Sequence, residues 1–254
     1  MTGLLTVVGL GPGDERWLTP AAAEALGAAT DLVGYGPYLD RAGARRGQRV
    51  HASDNRVELD RARLALELAA LGRQVAVVSG GDPGVFAMAA AVFEALEAGD
   101  PAWRALDIRV EPGITAMLAA AARVGAPLGG DFCAISLSDN LKPWEVIEAR
   151  LRAALEADFV VALYNPISRA RPWQLGRAFE IAASVRGPGT PVIMARAVGR
   201  ADERVRVVPL SEADAASADM STLVTIGAST TRRVERKGGE EPYVYTPRSY
   251  GRRG

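Results

Sequence analysis

The organisation of this chain follows from one stretch, Val77-Val78-Ser79-Gly80-Gly81-Asp82-Pro83-Gly84-Val85-Phe86. A β-rich run over 74–78 leads into a loop of glycines, one aspartate and a proline, and an alanine-rich helical pattern follows over about 85–96. In an open α/β sheet such a loop lies at the carboxyl end of a strand, where these folds bind ligands. Glycines let a ligand approach the backbone closely, and a helix start offers unpaired N–H groups. The stretch predicts a ligand-binding βα turn, although Gly-Gly-Asp-Pro-Gly alone fits an ordinary βα turn equally well.

Two further turns of this kind occur elsewhere in the first half of the chain. Gly9-Leu10-Gly11-Pro12-Gly13-Asp14 follows a β-branched run over 4–8, and Glu111-Pro112-Gly113-Ile114-Thr115-Ala116 follows a short strand pattern over 107–110. The first turn does not fit a dinucleotide fingerprint, which needs glycine where Asp14 stands, and it lacks the Gly-Lys-Ser/Thr of a P-loop. Three turns at regular βα intervals predict one parallel-sheet domain.

Composition narrows the class of protein. The 254 residues are 48% hydrophobic with a formal net charge of zero, which indicates one large or two small α/β domains and no bulk attraction to nucleic acid or an anionic membrane. A single cysteine, Cys133, and a single histidine exclude a disulfide framework and a classical zinc site. A carboxylate-rich Mg²⁺ site stays open, and we predict no bound metal. Without an apolar run of roughly 18 residues or a signal-peptide pattern, we expect a cytoplasmic protein.

Aromatic and basic residues cluster after the second strand pattern. Tyr35 and Tyr38 stand among glycines and a proline, in a rigid loop whose rings suit a flat aromatic ligand but equally fit buried structural tyrosines. Arg41 and Arg45 belong to an arginine cluster that is either a solvated loop or a site for ligand carboxylates. His51 follows, and a lone histidine more often packs than takes part in chemistry.

The second half begins a new series of helices and strands. Strand patterns occur at 132–137, 158–164, 190–195, 204–208 and 222–226, and the chain turns loose over 125–130. With a boundary between about 113 and 130, we divide the chain into an N-terminal α/β domain over 1–116, a C-terminal α/β domain over 117–240 and a tail over 241–254. Asn55 is expected to cap a helix that Gly72 ends, and the segment from Arg232 is expected to be irregular.

Four short motifs occur in order along nearly the whole chain. They are Gly9-x-Gly11-Pro12-Gly13-Asp14, Ser79-Gly80-Gly81-Asp82-Pro83, Pro112-Gly113-x-Thr115-Ala116 and Leu163-Tyr164-Asn165-Pro166. No single motif is specific, but together they resemble the tetrapyrrole methylases, a two-domain class of S-adenosylmethionine-dependent methyltransferases. Segments 34–38, 79–88, 137–144 and 164–169 resemble one ring-contracting member in particular. The resemblance implies two αβα domains with an active-site cleft between them.

The resemblance also implies S-adenosylmethionine as the cofactor, folded in that cleft and left as S-adenosylhomocysteine after transfer. From the residues themselves, Gly-Gly and Thr-Ala turns offer N–H groups and a hydroxyl to such a ligand. Asp82 suits its ammonium group, and capping the following helix is an equally good use of that side chain. Carried over position by position, the cofactor contacts are Pro12, Gly80, Gly81, Asp82, Val85, Thr115, Ala116, Tyr164, Asn165 and, on a looser match, Ala197.

The implied substrate is a reduced tetrapyrrole that is methylated on carbon 17 and then undergoes ring contraction. Methyl transfer from a sulfonium depends mainly on positioning, whereas the rearrangement needs a base and a cation or donor. We predict Asp139 as the base, Lys142 as the electrostatic partner and Tyr35 as a donor. The structural alternative is that Ser138 or Asn140 caps the following helix and Lys142 is solvated. The predicted substrate contacts are Asp14, Tyr38, Arg41, Arg45 and His51.

Three alternatives stay open on the sequence. The fold class includes enzymes that methylate ribosomal RNA ribose, but such an enzyme should carry a basic surface, and this chain is neutral. The others are a corrin methylase that acts at another carbon and a non-enzymatic ligand sensor on the same scaffold. Members of the family commonly form homodimers, so the resemblance implies a homodimer with a small-molecule substrate and no nucleic-acid or membrane partner.

Overall fold

The structure, a computed structural model, describes residues 3–55 and 57–250 of the chain. Its internal contacts divide the chain into two compact units, Met1–Thr115 and Ala116–Gly254. Each unit contains a five-stranded sheet together with helices. The predicted α/β class is therefore confirmed.

The first unit is built on a parallel sheet. Its strands are β1 Leu4–Gly9, β2 Asp31–Tyr35, β3 Arg49–Ser53, β4 Gln74–Ser79 and β5 Asp107–Glu111. They pair in the order β3-β2-β4-β1-β5, and all four pairings are parallel. Parallel neighbours need long crossover connections. These carry the helices α1 Pro20–Ala28, α2 Gly36–Ala42, α3 Glu58–Ala70 and α4 Met88–Ala98.

Strands β1 and β4 of this sheet are buried on both faces. Leu5 and Val7 of β1 pack in an apolar cluster with residues of α3 and α4, whereas Val8 packs in a second cluster with residues of α1. Side chains alternate along a strand, so such a sheet needs helices on both sides. β1 pairs with β4 so that Gly9 lies opposite Ser79. The loops after these two strands therefore start side by side.

The second unit begins with α5 Ala116–Val124 and the two-residue strand β6 Gly125–Ala126. Its main sheet consists of β7 Phe132–Ser136, β8 Val160–Tyr164, β9 Pro191–Arg196, β10 Arg204–Pro209 and β11 Thr222–Ile226, in the order β10-β9-β11-β8-β7. β7 and β8 are parallel, and the other three pairs are antiparallel. Helices α6 Trp144–Glu156 and α7 Gln174–Ala183 pack on this sheet. Their shared apolar core includes Leu151, Leu163 and Phe179.

The segment after the second sheet forms regular structure. β12 Arg232–Val234 pairs antiparallel with β13 Tyr243–Tyr245, and β13 pairs parallel with β6. Val244 is fully buried, and the Thr246 hydroxyl donates to the Pro127 carbonyl at 2.6 Å. The prediction of an irregular segment from Arg232 was wrong, because three alternating residues are too short a pattern to stand out from a charged loop.

Two helices begin at residues other than those predicted. α3 begins after Val57 without a side-chain cap, and Asn55 instead donates its backbone N–H to the side chain of the preceding aspartate at 2.7 Å. α4 begins at Met88, later than its alanine-rich pattern indicated. Phe86 has a left-handed backbone conformation, with a φ of 52°. That conformation is rare for a bulky residue and interrupts a right-handed helix.

Candidate functional site

In the first unit, the turns after β1 and β4 are joined through main-chain atoms. The Gly11 N–H donates to the Gly81 carbonyl at 3.1 Å, and the Gly81 N–H donates to the Gly11 carbonyl at 2.9 Å. Both glycines have left-handed conformations, with φ of 68° and 66°. Glycine adopts this region without the steric cost that a Cβ brings. The pair therefore needs glycine on both sides.

The turn after β5 packs directly on the other two. A Cβ on Gly9 would lie 2.7 Å from the Gly113 nitrogen and 2.7 Å from the Gly81 carbonyl oxygen. Both are backbone atoms, which cannot move aside as the end of a flexible side chain can. The three turns therefore meet where only a hydrogen atom fits on the Cα of Gly9. We call this meeting point of Gly9, Gly81 and Gly113 the glycine junction.

Asp82 links the central turn to the turn after β5. Its Oδ1 accepts a hydrogen bond from the Gly84 N–H at 2.8 Å, and its Oδ2 accepts one from the Gly113 N–H at 3.1 Å. The suggestion that Asp82 caps the following helix is wrong, since α4 begins only at Met88. A carboxylate has about four acceptor positions, so contact with a ligand ammonium group is still open to Asp82.

Side chains of α2 support these turns from one side. The segment 34–38, predicted as a rigid loop, is the end of β2 and the start of α2. A Cβ on Gly80 would lie 2.8 Å from Cζ of Tyr38, and the Tyr35 and Tyr38 rings meet edge to face with centroids 5.5 Å apart. Arg41 donates to two carbonyls of the first turn, at 3.0 and 2.7 Å. Arg41 was predicted to bind substrate carboxylates, but its guanidinium is hydrogen-bonded to this turn.

Asp14 lies at the exposed end of the first turn. Its carboxylate accepts a hydrogen bond from the Arg16 N–H at 3.1 Å and pairs with the Arg16 guanidinium at 3.0 Å. The side-chain hydrogen bond from Arg16 lowers the pKa of Asp14. Asp14 is therefore ionised at neutral pH, and its contact with substrate stays a prediction.

The partners of the His51 and Arg45 side chains lie toward the amino end of β2, away from the three turns. The Nε2 atom of His51 is 2.8 Å from Oδ1 of Asp31, a fully buried carboxylate that also pairs with Arg73 at 2.9 Å. Asp31 is the first residue of β2, and Arg73 precedes β4. The Arg45 guanidinium packs against Gly27 near the end of α1 that leads into β2. Both predicted substrate contacts, His51 and Arg45, therefore have structural partners at the end of the sheet opposite the three turns.

In the second unit, candidate residues lie at the carboxyl ends of β7 and β8. The phenol oxygen of Tyr164 accepts a hydrogen bond from the Met117 N–H at 3.0 Å, at the start of α5. Asn165 follows in a left-handed conformation, with a φ of 50°, and its Nδ2 donates to Oγ of the buried Ser136 at 3.0 Å. Asparagine is one of the few residues besides glycine that visit this region readily. The Tyr164–Asn165 turn is thus fixed from both α5 and β7.

Asp139, the predicted base, lies in the loop after β7. Its Oδ2 accepts a hydrogen bond from Nε2 of Gln174 at 3.1 Å, and Nε of Arg171 is 3.9 Å from its Oδ1. Helix α6 begins after Pro143 without a side-chain cap. The alternative in which a polar residue of this loop, Ser138 or Asn140, caps that helix is therefore wrong.

Lys142 and Ala197 complete the residues predicted in this unit. Burial, and next the positive charge of Arg150, lower the pKa of Lys142. Lys142 is therefore partly withdrawn from water. Ala197 is buried after β9, with a left-handed φ of 49°, and its N–H donates to the Ser221 carbonyl at 2.9 Å. A non-glycine residue in this region marks a constrained turn.

Sequence reasoning missed four residues of these regions. Ser136, Arg171 and Gln174 are buried polar residues beside the Asn165 turn, and Phe86 is half exposed in its left-handed conformation. The available signal was weak. Each of the three polar residues stands in a segment that also fits an ordinary strand, loop or helix surface. The left-handed φ of Phe86 cannot be recognised from the amino-acid composition of its segment.

Two classes of feature are absent from the part of the chain that the structure describes, 3–55 and 57–250. No group of three or more His, Cys, Asp and Glu side chains there could hold a metal ion. No helix in those two ranges combines the length and the apolarity that a membrane crossing requires.

A parallel unit with three glycine turns, followed by a mixed unit with a Tyr-Asn turn, defines a two-domain α/β protein of the kind that the motifs resemble. Residues 4–214 match the family described as Tetrapyrrole (Corrin/Porphyrin) Methylases. The match covers most of the chain, and the chain belongs to this family. The resemblance stated from the motifs is confirmed.

Individual relatives show which members of the family the chain resembles. The chain is 62% identical to a precorrin-3B C(17)-methyltransferase of Sinorhizobium sp over 250 residues, which cover 98% of each chain. It is 56% identical to the solved structure of the methyltransferase CobJ, with a TM-score of 0.91, covering 96% of this chain and 100% of that one. A uroporphyrin-III C-methyltransferase from Thermus thermophilus, solved with S-adenosylhomocysteine, is 21% identical with a TM-score of 0.68, covering 94% and 98% of the two chains. That last likeness shows the fold alone.

The glycine junction predicts a large penalty for one added methyl group. Gly9→Ala places a Cβ against two backbone atoms, and we expect it to lower the free energy of unfolding by roughly 1–3 kcal/mol. Gly36→Ala is the matched control, because a Cβ there would meet nothing within 4 Å. Thermal unfolding of both variants measures the difference. Equal midpoints for the two would show that the turns are not in close contact.

The lowered pKa of the buried Asp31 carboxyl predicts that its contribution to the free energy of unfolding depends on pH. Burial raises its pKa, but hydrogen bonds from His51, Thr30 and Arg73 outweigh burial, and the net pKa is lowered. A lowered pKa stabilises the fold above the unfolded value of about 4, and this stabilisation is lost as the pH falls through the folded value. Asp31→Asn should therefore cost roughly 1–3 kcal/mol at pH 7 and much less near pH 3.

Urea unfolding at the two pH values measures this effect. Asp60→Asn is the control, because Asp60 is an exposed carboxylate whose partner is Arg63. Its loss should change stability little at either pH. A penalty for Asp31→Asn that does not change with pH would contradict the assignment.

Proposed function

We propose that this chain is an S-adenosylmethionine-dependent C-methyltransferase that methylates carbon 17 of precorrin-3B and contracts the ring to give precorrin-4 in cobalamin biosynthesis. The observation that carries the proposal is the 62% identity to a precorrin-3B C(17)-methyltransferase over 98% of both chains. The family by itself also admits corrin methylases that act at another carbon. A ribosomal RNA ribose methyltransferase is disfavoured by the zero net charge.

The turns of the first unit fit the proposed cofactor. A Cβ on Gly81 would meet no atom closer than 3.9 Å, yet the left-handed φ of Gly81 disfavours any side chain there. A ligand can therefore reach the main chain at this point. Thr115 is buried at the end of the third turn, with 6% of its surface exposed. The proposed contacts are Pro12, Gly80, Gly81, Asp82, Val85, Thr115, Ala116, Tyr164, Asn165 and Ala197.

The cofactor, when bound, supplies a methyl group on a positively charged sulfur. The tetrapyrrole methylase family to which the chain belongs supports this choice. Displacement at a sulfonium methyl group depends on orientation and on the exclusion of water. In the first unit, orientation of the cofactor is proposed to depend on the three turns. The glycine junction and the Asp82 carboxylate hold these turns in place without a general acid or base. Asp82 is also proposed to accept from the cofactor ammonium group.

The proposed second step rearranges a hydroxylated, lactone-bearing macrocycle and releases carbon 20 from the ring as an acyl group. Asp139 is the proposed base for the hydroxyl proton, and Lys142 is the proposed cation for the departing lactone carboxylate. A partly desolvated ammonium attracts a carboxylate more strongly than one in bulk water. Tyr35 is proposed as a hydrogen-bond donor. Of the predicted substrate contacts we retain Asp14 and Tyr38, and we leave out Arg41, Arg45 and His51, which have structural partners.

We further propose a cytoplasmic homodimer with a small-molecule tetrapyrrole substrate and no nucleic-acid or membrane partner. The resemblance supports the dimer, and the zero net charge supports the absence of a polyanionic partner. Sedimentation equilibrium on the purified protein gives the mass directly. A mass of one 26.7 kDa chain at micromolar concentration would overturn the dimer.

The proposed reaction predicts one labelled product. Purified protein is incubated with precorrin-3B and S-adenosylmethionine that carries a labelled methyl group, and the macrocycle is analysed by mass spectrometry. We expect a single labelled methyl group and a changed chromophore, with carbon 17 confirmed by NMR. Binding of the cofactor without methyl transfer to precorrin-3B would overturn the substrate but not the family, and other precorrins would be tested next.

The two proposed steps should separate in variants of the loop after β7. Asp139→Asn removes the base, and we expect ring contraction to slow by roughly 10²–10⁴-fold. Methyl transfer should change little, because it does not use this carboxylate, so a methylated and uncontracted macrocycle should accumulate. Stopped-flow absorbance and mass spectrometry measure the two steps. Asp60→Asn, on the exposed surface of α3, is the control. Equal loss of both steps in Asp139→Asn would contradict the assigned role.

A further inference from the structure

A buried polar network connects the loops after β7 and β8 in the second unit. Ser136 accepts from Nδ2 of Asn165 at 3.0 Å and from the Ser138 N–H at 3.3 Å. Two residues that carry no predicted role, Arg171 and Gln174, extend the network toward Asp139. The network thus joins the proposed cofactor turn to the loop of the proposed base.

Gln174 contributes one hydrogen bond and one unfilled acceptor. It is the first residue of α7, only 1% of its surface is exposed, and its Nε2 donates to Asp139 Oδ2 at 3.1 Å. Its Oε1 is buried and has no hydrogen-bond partner within the described ranges. Rotating the amide would put this oxygen against the carboxylate, so the orientation is fixed by charge. An unfilled buried acceptor is unfavourable and indicates a donor that arrives with bound substrate or water.

Arg171 contributes support for the cofactor turn. Its side chain is 8% exposed, and its Nη1 donates to the Asn165 carbonyl at 3.1 Å. Its backbone pairs with Ser168 in both directions, which fixes the loop that carries it. The same guanidinium places Nε 3.9 Å from Asp139 Oδ1. One buried cation therefore lies between the left-handed Asn165 turn and the carboxylate.

We propose that Gln174 and Arg171 are positioning residues, Gln174 for the carboxylate of Asp139 and Arg171 for the Asn165 turn. The inference rests on the proposed function. Gln174 donates to Oδ2 of Asp139, which leaves Oδ1, 3.9 Å from Nε of Arg171, as the oxygen proposed to accept the substrate proton. Arg171 holds the Asn165 carbonyl and thereby the turn that is proposed to contact the cofactor. Of the two residues, Arg171 donates to the Asn165 carbonyl and Gln174 donates to Asp139, so the KM for S-adenosylmethionine distinguishes their roles.

The charged groups around Asp139 determine the direction in which the pH dependence should move when Gln174 is replaced by Glu. Arg171 comes from the loop before α7, Lys142 from the loop of Asp139 itself, and the α7 neighbour Gln174 is neutral. Gln174→Glu replaces this neutral donor by a carboxylate of the same shape. Two carboxylates within hydrogen-bond distance share one proton over a wide pH range. A base at this position is then available only at higher pH.

The first experiment measures the pH dependence of ring contraction in Gln174→Glu. We expect the ascending limb of the rate profile to move up by about one pH unit or more, while methyl transfer at pH 7 changes by less than about twofold. Ala183→Glu is the control, because it adds the same charge at an exposed position at the end of the same helix. An unchanged ascending limb in Gln174→Glu would overturn the role of Gln174.

The second experiment separates the two residues by steady-state kinetics. Arg171→Lys keeps the charge but loses the planar fork, and we expect the KM for S-adenosylmethionine to rise about tenfold. Gln174→Asn shortens the donor, and we expect ring contraction to slow about tenfold with that KM unchanged. Near-ultraviolet circular dichroism verifies folding, and Gln174→Asn serves if Gln174→Glu does not fold. A rise in KM for both variants, or for neither, would overturn the division of roles.

The wild-type enzyme distinguishes failure of this inference from failure of the proposed function. If wild type transfers no methyl group to precorrin-3B, the proposed function fails. If wild type is active and the variants show neither the shifted limb nor the KM split, the positioning roles alone fail.

Discussion

The close approach of three backbone turns at Gly9 is the constraint on which the first unit depends. The Gly81 carbonyl and the Gly113 nitrogen converge where a side chain on Gly9 would have to lie. The parallel sheet brings them there, because β1 lies between β4 and β5 and all three strands end at the same edge. Asp82 and Arg41 then hold the loops by bonding to main-chain groups. The geometry of the three turns is thus a consequence of the strand order and of the close packing at Gly9.

The second unit holds its turns by a different kind of contact. Its turn after β8 is held by side chains, with Ser136 bonded to Asn165, Arg171 bonded to the Asn165 carbonyl, and Gln174 bonded to Asp139. A main-chain contact depends on the absence of side chains, whereas a buried polar network depends on every member being present.

The sequence predicted the turns because glycine and proline at strand ends report directly on backbone shape. It could not predict which partner a polar side chain finds. His51 and Asp31 are separated by 20 residues and meet only because β2 and β3 pair in one register. Arg41 and Gln174 find their partners in other loops. Phe86 adopts a left-handed conformation that its alanine-rich surroundings conceal. The features that the sequence did not predict depend on contacts between distant parts of the chain. The turns were predicted because glycine and proline act on the local backbone.

The glycine junction has a consequence for which substitutions this chain can accept. A contact made of main-chain atoms has no graded variants, since an added methyl group either collides or does not, so selection has little to act on there. A side chain of the network around Asn165 offers more choices, because a substitute of similar shape can keep its hydrogen bonds. Laboratory evolution of this chain would therefore do best to leave Gly9, Gly81 and Gly113 unchanged and to vary side chains of the second unit.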